Sequence, residues 1–105
     1  MWVISLSQSL AYQMAPYHVN VNTVCPGIVW TPMWKRLAEN LAMTNPELKD
    51  LPPEEIFNVS VQQMIPFGRP QTIEDLGEAV LFFASDAAKE ITGQALNVCG
   101  GIRMN

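Results

Sequence analysis

Val19 to Thr31 read VNVNTVCPGIVWT, a short alternating stretch that runs into Pro26-Gly27 and closes on a threonine. Val19, Val21 and the Val24-Cys25 pair, interrupted by Asn20, Asn22 and Thr23, have the alternation of a buried strand. Pro26 removes a backbone donor and Gly27 lets the chain turn or approach a ligand closely, so the strand stops there. In open α/β sheets ligands lie beyond the carboxyl ends of the strands, which places the residues after this stop where a ligand is met. Pro-Gly is also ordinary turn chemistry, and the local sequence leaves a plain strand exit open beside the ligand-facing reading.

On the N-terminal side, Val3, Leu6, Leu10 and Met14 recur at helical spacing through residues 2 to 15. Met1-Trp2 falls inside that apolar pattern with no capping residue, as though the helix began earlier. Ala15-Pro16 ends it, because proline disfavours a helical conformation in the residue before it. On the C-terminal side, Thr31-Pro32 predicts a helix start, with threonine as cap and proline tolerated in the first turn. Met33, Trp34, Leu37 and Leu41 form its apolar face. MTNPELKDLPP, residues 43 to 53, predicts an exposed loop, and a second helix follows from about Glu54 with Ile56, Phe57, Val61 and Met64-Ile65 on its buried side.

PFGRPQ, residues 66 to 71, is a turn-rich linker. Thr72 then caps a helix carrying acids in its first turn and Ile73, Leu76, Val80 and Phe83 on one stripe through residue 85. Residues 86 to 93 read as a loop, Ala95 to Val98 as a short strand, and Gly100-Gly101 as a flexible exit. The order predicts a right-handed βαβ crossover with the strands at 19–25 and 95–98 parallel. Two parallel strands leave an open edge that should recruit another strand.

At 105 residues the chain is long enough for one small domain. It is 49% hydrophobic and 15% charged, a packed and ordered composition. That apolar share is high for so small a chain and implies that apolar surface is covered by another chain or by a missing segment. The net charge of −4, with no cluster of lysine or arginine, excludes a nucleic-acid footprint and an anionic membrane surface. The start lacks the basic flank and cleavage site of a signal peptide and no apolar run approaches a bilayer span, so a cytoplasmic protein is expected. Cys25 and Cys99 have no metal-ligand spacing and read as reduced, mostly buried thiols. His18, the single histidine, falls in a helix-to-strand loop and reads as a surface residue.

Two segments taken together, SLSQSLAYQMAPYHVNVNTVCPGIVWTPM and IPFGRPQTIEDLGEAVLFFASDAAKEITGQALNVCGG, resemble the C-terminal part of a short-chain dehydrogenase/reductase in the order and spacing of their motifs. The resemblance covers essentially the whole chain. It implies an incomplete Rossmann-type α/β unit, residues 1–105 as a single partial domain, and residues 32–66 as lid-like helices. The intervening helices suggest the branch acting on polyols and secondary alcohols. The family binds NAD or NADP and moves a hydride between the nicotinamide ring and a carbonyl or alcohol carbon. By position, Pro26, Gly27 and Ile28 match the residues that lie against the nicotinamide and pair its carboxamide with main-chain groups. Thr31 matches the threonine whose hydroxyl reaches the carboxamide or the phosphate side, and Trp30, Met33 and Trp34 fall where the substrate lid begins.

The family's glycine-rich loop, its Asn-Ala-Gly segment, its catalytic serine and its Tyr-x-x-x-Lys pair all precede the part represented in these residues. Tyr12 and Tyr17 do not stand in for that tyrosine, since Pro16 and Val21 occupy the position of the lysine. No catalytic or metal-binding residue is therefore assigned, and the chain alone is expected not to turn over, because the proton transfer has no group within reach. Cys99 replaces the aspartate that the family commonly places before Gly-Gly. The alternative to an oxidoreductase fragment is a non-enzymatic module that self-associates through its strand edge and apolar helix faces, or binds a full-length relative.

Overall fold

In the computed structural model, which describes residues 2–104, helices dominate and two short strands pair in parallel. The elements run α1 (Trp2–Met14), β1 (Thr23–Pro26), α2 (Pro32–Thr44), α3 (Pro53–Met64), α4 (Ile73–Ala84) and β2 (Ala95–Val98), with single 3-10 turns at Ala15–Tyr17, Pro46–Leu48 and Asp86–Ala88. This is the incomplete Rossmann-type α/β unit expected, with β1 and β2 joined by a helical crossover. Met1, which the sequence places inside the apolar pattern of the first helix, lies outside the described residues. The chain divides into two compact units, one made by the residues up to Pro26 with Ile73–Val98, the other by Gly27–Thr72 with the residues from Cys99 onward.

The first unit is built on the ladder that pairs Thr23 with Ala95, Val24 with Leu96, Cys25 with Asn97 and Pro26 with Val98. The strand is shorter than the alternation predicts, because Val19 N donates to Met14 O at 3.4 Å and Asn20 to Asn22 hydrogen-bond to the loop before β2, largely through side chains. The Asn20 amide donates to the carbonyls of Ala88 and Lys89, both at 3.0 Å. The Asn22 amide donates to Ile91 O at 2.9 Å, and its oxygen accepts from Gln94 N at 3.1 Å. Between them, Val21 N donates to Thr92 Oγ1 at 3.0 Å and Val21 O accepts from Gly93 N at 2.8 Å. Asparagine makes such side-chain bonds in competition with a backbone ladder, which is why the alternating valines do not extend the sheet. His18, with φ 56, sits in the left-handed region at the reversal into this stretch and is exposed, as a surface residue should be.

In the same unit the helices keep their apolar faces open. Ala11 is the buried residue of α1, facing Gly93, where an added Cβ would stand 3.7 Å from it. The stripe predicted from the sequence is not the packed face: Val3, Leu6 and Leu10 are exposed, Leu6 by 60%, and only Met14 is half-buried. α4 lies against both strands through half-buried Leu76, Ala79 and Phe83, while Ile73, Val80, Leu81 and Phe82 stay exposed. Nor is Cys25 fully buried, in contrast to Cys99, although both thiols are free.

The second unit has a continuous core of Ile28, Phe57, Val61 and Ile65, with Trp34 and Ile102 packed against it. Pro53 stands at the start of α3 and Glu54 and Glu55 occupy its first turn, where negative charge favours the helix dipole. Its stripe of Ile56, Phe57, Val61 and Ile65 is buried as the spacing predicts, and Met64 is the exception at 52% exposed. On α2 the fully buried residue is Ala38, with Trp34 and Leu41 half-buried and Met33 and Leu37 exposed. A small residue at the contact lets α2 and α3 approach closely. The predicted loop 43–53 is partly ordered: α2 runs to Thr44, and the Asn45 side chain accepts from Glu47 N at 3.1 Å to start the next 3-10 turn.

Candidate functional site

β1 ends at Pro26, and Gly27 opens the segment that the sequence singles out. A Cβ at Gly27 would overlap the Gln71 side chain and would stand 2.8 Å from Cys99 Cα and 2.9 Å from Cys99 Cβ. Real Cβ atoms do not tolerate such contacts with backbone, so glycine is needed there for close approach and not for an unusual φ.

Ile28, 5% exposed, is held on both of its main-chain groups by one residue. Its N–H donates to Gln71 Oε1 at 3.1 Å and its C=O accepts from Gln71 N at 2.9 Å. Val29 forms a parallel bridge with Gln71. In such a bridge the bonded groups belong to the residues flanking Val29, so Val29's own N–H and C=O face away from Gln71. Thr31 is extended, at φ −138 and ψ 165, and its hydroxyl oxygen accepts from Trp34 N at 3.4 Å. That bond makes Thr31 the cap of α2 and leaves its O–H proton available to donate elsewhere.

The aromatic residues gather on Phe57. Trp30 meets its ring edge-on at 4.9 Å between centroids and 63° between planes, and Trp34 at 5.4 Å and 75°. Such edge-to-face pairs stabilise beyond their area burial by about 0.5–1.5 kcal/mol. Trp30 still keeps 37% of its surface exposed, so it has one face in the core and one available to a ligand. Met33 is exposed.

Sequence reasoning missed Gln71, which falls in what reads as a linker. It is 7% exposed, and beyond its bonds to Ile28 its amide nitrogen donates to Arg69 O at 3.4 Å. Nothing in PFGRPQ marks the residue, because its partner lies 43 positions away. The turn around it is also ordered: Phe67 N donates to Gly100 O at 3.1 Å, Gly68 N to Ile65 O at 2.8 Å, and Gln62 Nε2 to Gly68 O at 2.8 Å.

Cys99 has polar company in the place of the family's aspartate. Arg103 N donates to its sulfur at 3.4 Å, and the thiol reaches Arg103 O at 3.7 Å. Gly100 and Gly101, with φ 63 and 99, make the tight turn that brings these groups round. The thiol pKa lies below its ordinary value, first because the Arg103 N–H favours the thiolate, with desolvation opposing and the Gly101 and Ile102 N–H groups adding to the lowering.

Elsewhere, a cleft of about 330 Å³ in the first unit is lined by Asn20, Asn22, Val24, Val80, Phe83 and Ala84, none of them titratable. Among the described residues no group of His, Cys, Asp and Glu is placed to hold a metal ion, and no helix is long and apolar enough to cross a membrane.

Residues 1–103 match the family described as Enoyl-(Acyl carrier protein) reductase. The chain is 39% identical over 100 residues to the ketoacyl reductase assigned to the monensin polyketide synthase of Streptomyces virginiae, a match covering 95% of this chain and 36% of that protein. It is similar to the crystal structure of sorbitol-6-phosphate 2-dehydrogenase from Erwinia amylovora, with a TM-score of 0.83 and 33% identity over 97% of this chain and 38% of the other. It is similar as well to a variant of actinorhodin polyketide ketoreductase solved with NADPH, with a TM-score of 0.80 and 32% identity over 95% of this chain and 36% of the other. The chain thus spans little more than a third of the proteins it matches.

Proposed function

Because the chain belongs to the short-chain dehydrogenase/reductase family, we propose that it forms the nicotinamide-side part of an NAD(P)-dependent oxidoreductase of carbonyls and secondary alcohols, polyols among them. The observation that carries this reading is the immobilised turn after β1. Gly27 is pressed against Gln71 and Cys99, Ile28 is bonded on both main-chain groups, and Thr31 is fixed as a helix cap. A segment held this firmly presents main-chain and hydroxyl groups to a planar ligand with little ordering cost.

The residues fit the cofactor unevenly. Thr31 suits it, since its hydroxyl accepts from Trp34 and still has a proton to donate to a carboxamide or phosphate oxygen. Ile28 does not suit the main-chain role, because its N–H and C=O already serve Gln71. That role passes to Val29, whose main-chain groups face the other way, with Pro26 and Gly27 supplying the wall. The bound cofactor would supply the hydride. Trp30, Met33 and Trp34 open the lid of residues 32–66, and the exposed part of Trp30 would cover substrate.

The 105 residues on their own carry no serine, tyrosine and lysine in the family's arrangement, and turnover by this chain alone is not expected. The experiment is a titration of the purified protein with NADH, following energy transfer from its tryptophans. Saturable quenching that competes with NAD and weakens about tenfold in Thr31→Ala supports the reading, the loss being that of one hydrogen bond to the ligand. No response at millimolar NADH overturns it.

A second reading is favoured by the exposed apolar stripes on α1 and α4, with Trp2 74% and Ile73 70% exposed. Under it the chain associates with a second copy, or with a full-length relative, through those faces and the open strand edge. Sedimentation that returns a stably folded monomer at every accessible concentration removes this reading.

A further inference from the structure

We infer that Gln71 is a positioning residue for the nicotinamide segment, setting the conformation of Gly27 to Thr31 and through it the affinity for the cofactor; this rests on the reading of that segment as the cofactor's edge. Three observations converge on it. Gln71 is a buried polar residue, 7% exposed at its bridge with Val29, where a glutamine side chain has no apolar packing role. Its side-chain oxygen and its main-chain N–H take both main-chain groups of Ile28, at 3.1 and 2.9 Å. Both bonds fall on the same side of the segment, so Val29 is left with its N–H and C=O directed to the opposite side.

The side chain is itself held from three directions. Its nitrogen donates to Arg69 O at 3.4 Å, its oxygen lies where a Cβ on Gly27 would fall, and a Cβ on Gly100 would come within 2.8 Å of its nitrogen. The two glycines therefore make the slot in which the amide lies flat. Arg69 O can only accept and Ile28 N–H can only donate, so the amide has one orientation that satisfies both. Removing the acceptor would leave the buried Ile28 N–H without a partner, and the segment would relax to find one.

Gln71 touches no cofactor atom in this scheme; it acts through Ile28. The test is therefore built to separate positioning from plain stability. Gln71→Met keeps the length and the burial but removes the acceptor, and Gln71→Glu, measured at a pH where its carboxyl is protonated, keeps an oxygen at the acceptor's place and an O–H for Arg69 O. NADH affinity, read by tryptophan energy transfer on the 105-residue protein, is expected to fall about tenfold in Gln71→Met and to return to within about twofold of the original in Gln71→Glu. Urea midpoints measured on both variants establish that each is folded in the titration; a loss in Gln71→Met that is no larger than its fall in folded fraction overturns the proposal. Equal affinity in all three proteins, or an affinity loss in Gln71→Met that Gln71→Glu does not restore, overturns the proposal.

Should Gln71→Met not fold, the unmodified protein decides the matter by hydrogen exchange at the Ile28 amide with and without NADH. Protection already present without cofactor is expected, since Gln71 is the partner. Protection that appears only with NADH makes the ligand the partner and overturns the proposal. Failure of the unmodified protein to bind NADH has a different signature, no energy transfer at any concentration, and removes the cofactor reading together with the inference drawn from it.

Discussion

α3 and α4 are both 12 residues long, and both carry a clean apolar stripe with two acids in the first turn. α3 buries Ile56, Phe57 and Val61, whereas α4 has no buried residue. The sequence marks both as helices, and α4 has the stronger pattern. The difference lies in what each has to pack on. α3 meets α2 and the segment around Ile28 within its own unit, whereas α4 meets the two short strands and the 3-10 turn at Asp86–Ala88. Periodicity therefore marks an apolar stripe and is silent on whether a cover for it is present. The two units follow suit: one is held by an apolar core, the other by a strand ladder and side-chain bonds.

The sharpest test of this contrast is Phe57→Ala against Val80→Ala. Phe57 anchors the core and both tryptophan contacts, and its loss is expected to lower stability by about 3–5 kcal/mol in urea unfolding. Val80 is 55% exposed, and its truncation should cost about 0.5 kcal/mol or less. Comparable losses at the two positions would break the contrast and mean that α4 is covered in solution. Next in size, Gly27→Ala should cost about 1–3 kcal/mol through overlap with Cys99 and abolish the NADH response, both read on the same sample.

For the other unit, Asn22→Ala removes one donated and one accepted hydrogen bond to the loop before β2. A loss of about 1–2 kcal/mol is expected, and an unchanged urea midpoint would show that the clasp contributes nothing. The smallest effect belongs to Cys99. Its folded pKa lies below its unfolded one, so the folded state sheds its proton first and gains stability as pH rises through the folded pKa towards the ordinary thiol value. The gain is lost again as pH falls through the folded pKa. Measured from neutral to mildly alkaline pH, the stability difference between the unmodified protein and Cys99→Ser should widen; a constant difference would count against the lowered pKa.

Much of the fold was legible because its signals are local. The Thr31-Pro32 cap, the stripe of α3 and the parallel pairing of two short strands follow from neighbouring residues and connection rules. The first half of the predicted strand was lost because asparagine side chains satisfied the backbone by a route that alternation does not encode. In the candidate site, Gly27 and Thr31 stand out from their own chemistry, Gly27 at a strand stop and Thr31 before proline. Gln71 did not, and Ile28 was read as presenting groups that Gln71 takes, since both depend on a contact between distant parts of the chain. α1 differs from its pattern for the same reason: its stripe is local, and whatever would cover that stripe is not.

The clasp between Asn22 and Gln94 joins residues 72 apart, and the ladder beside it joins strands equally remote. Every contact that completes the first unit must therefore wait for the closure of a long loop, whereas α2 and α3 meet through a short connection. Loop closure costs entropy before such contacts return any stabilisation, and folding slows as contacts become more distant in sequence. The order of assembly follows: the aromatic core around Phe57 forms early, and the strands zip together last. A refolding experiment should then show Trp30 and Trp34 reaching their final fluorescence before the amides of Val24 and Cys25 become protected.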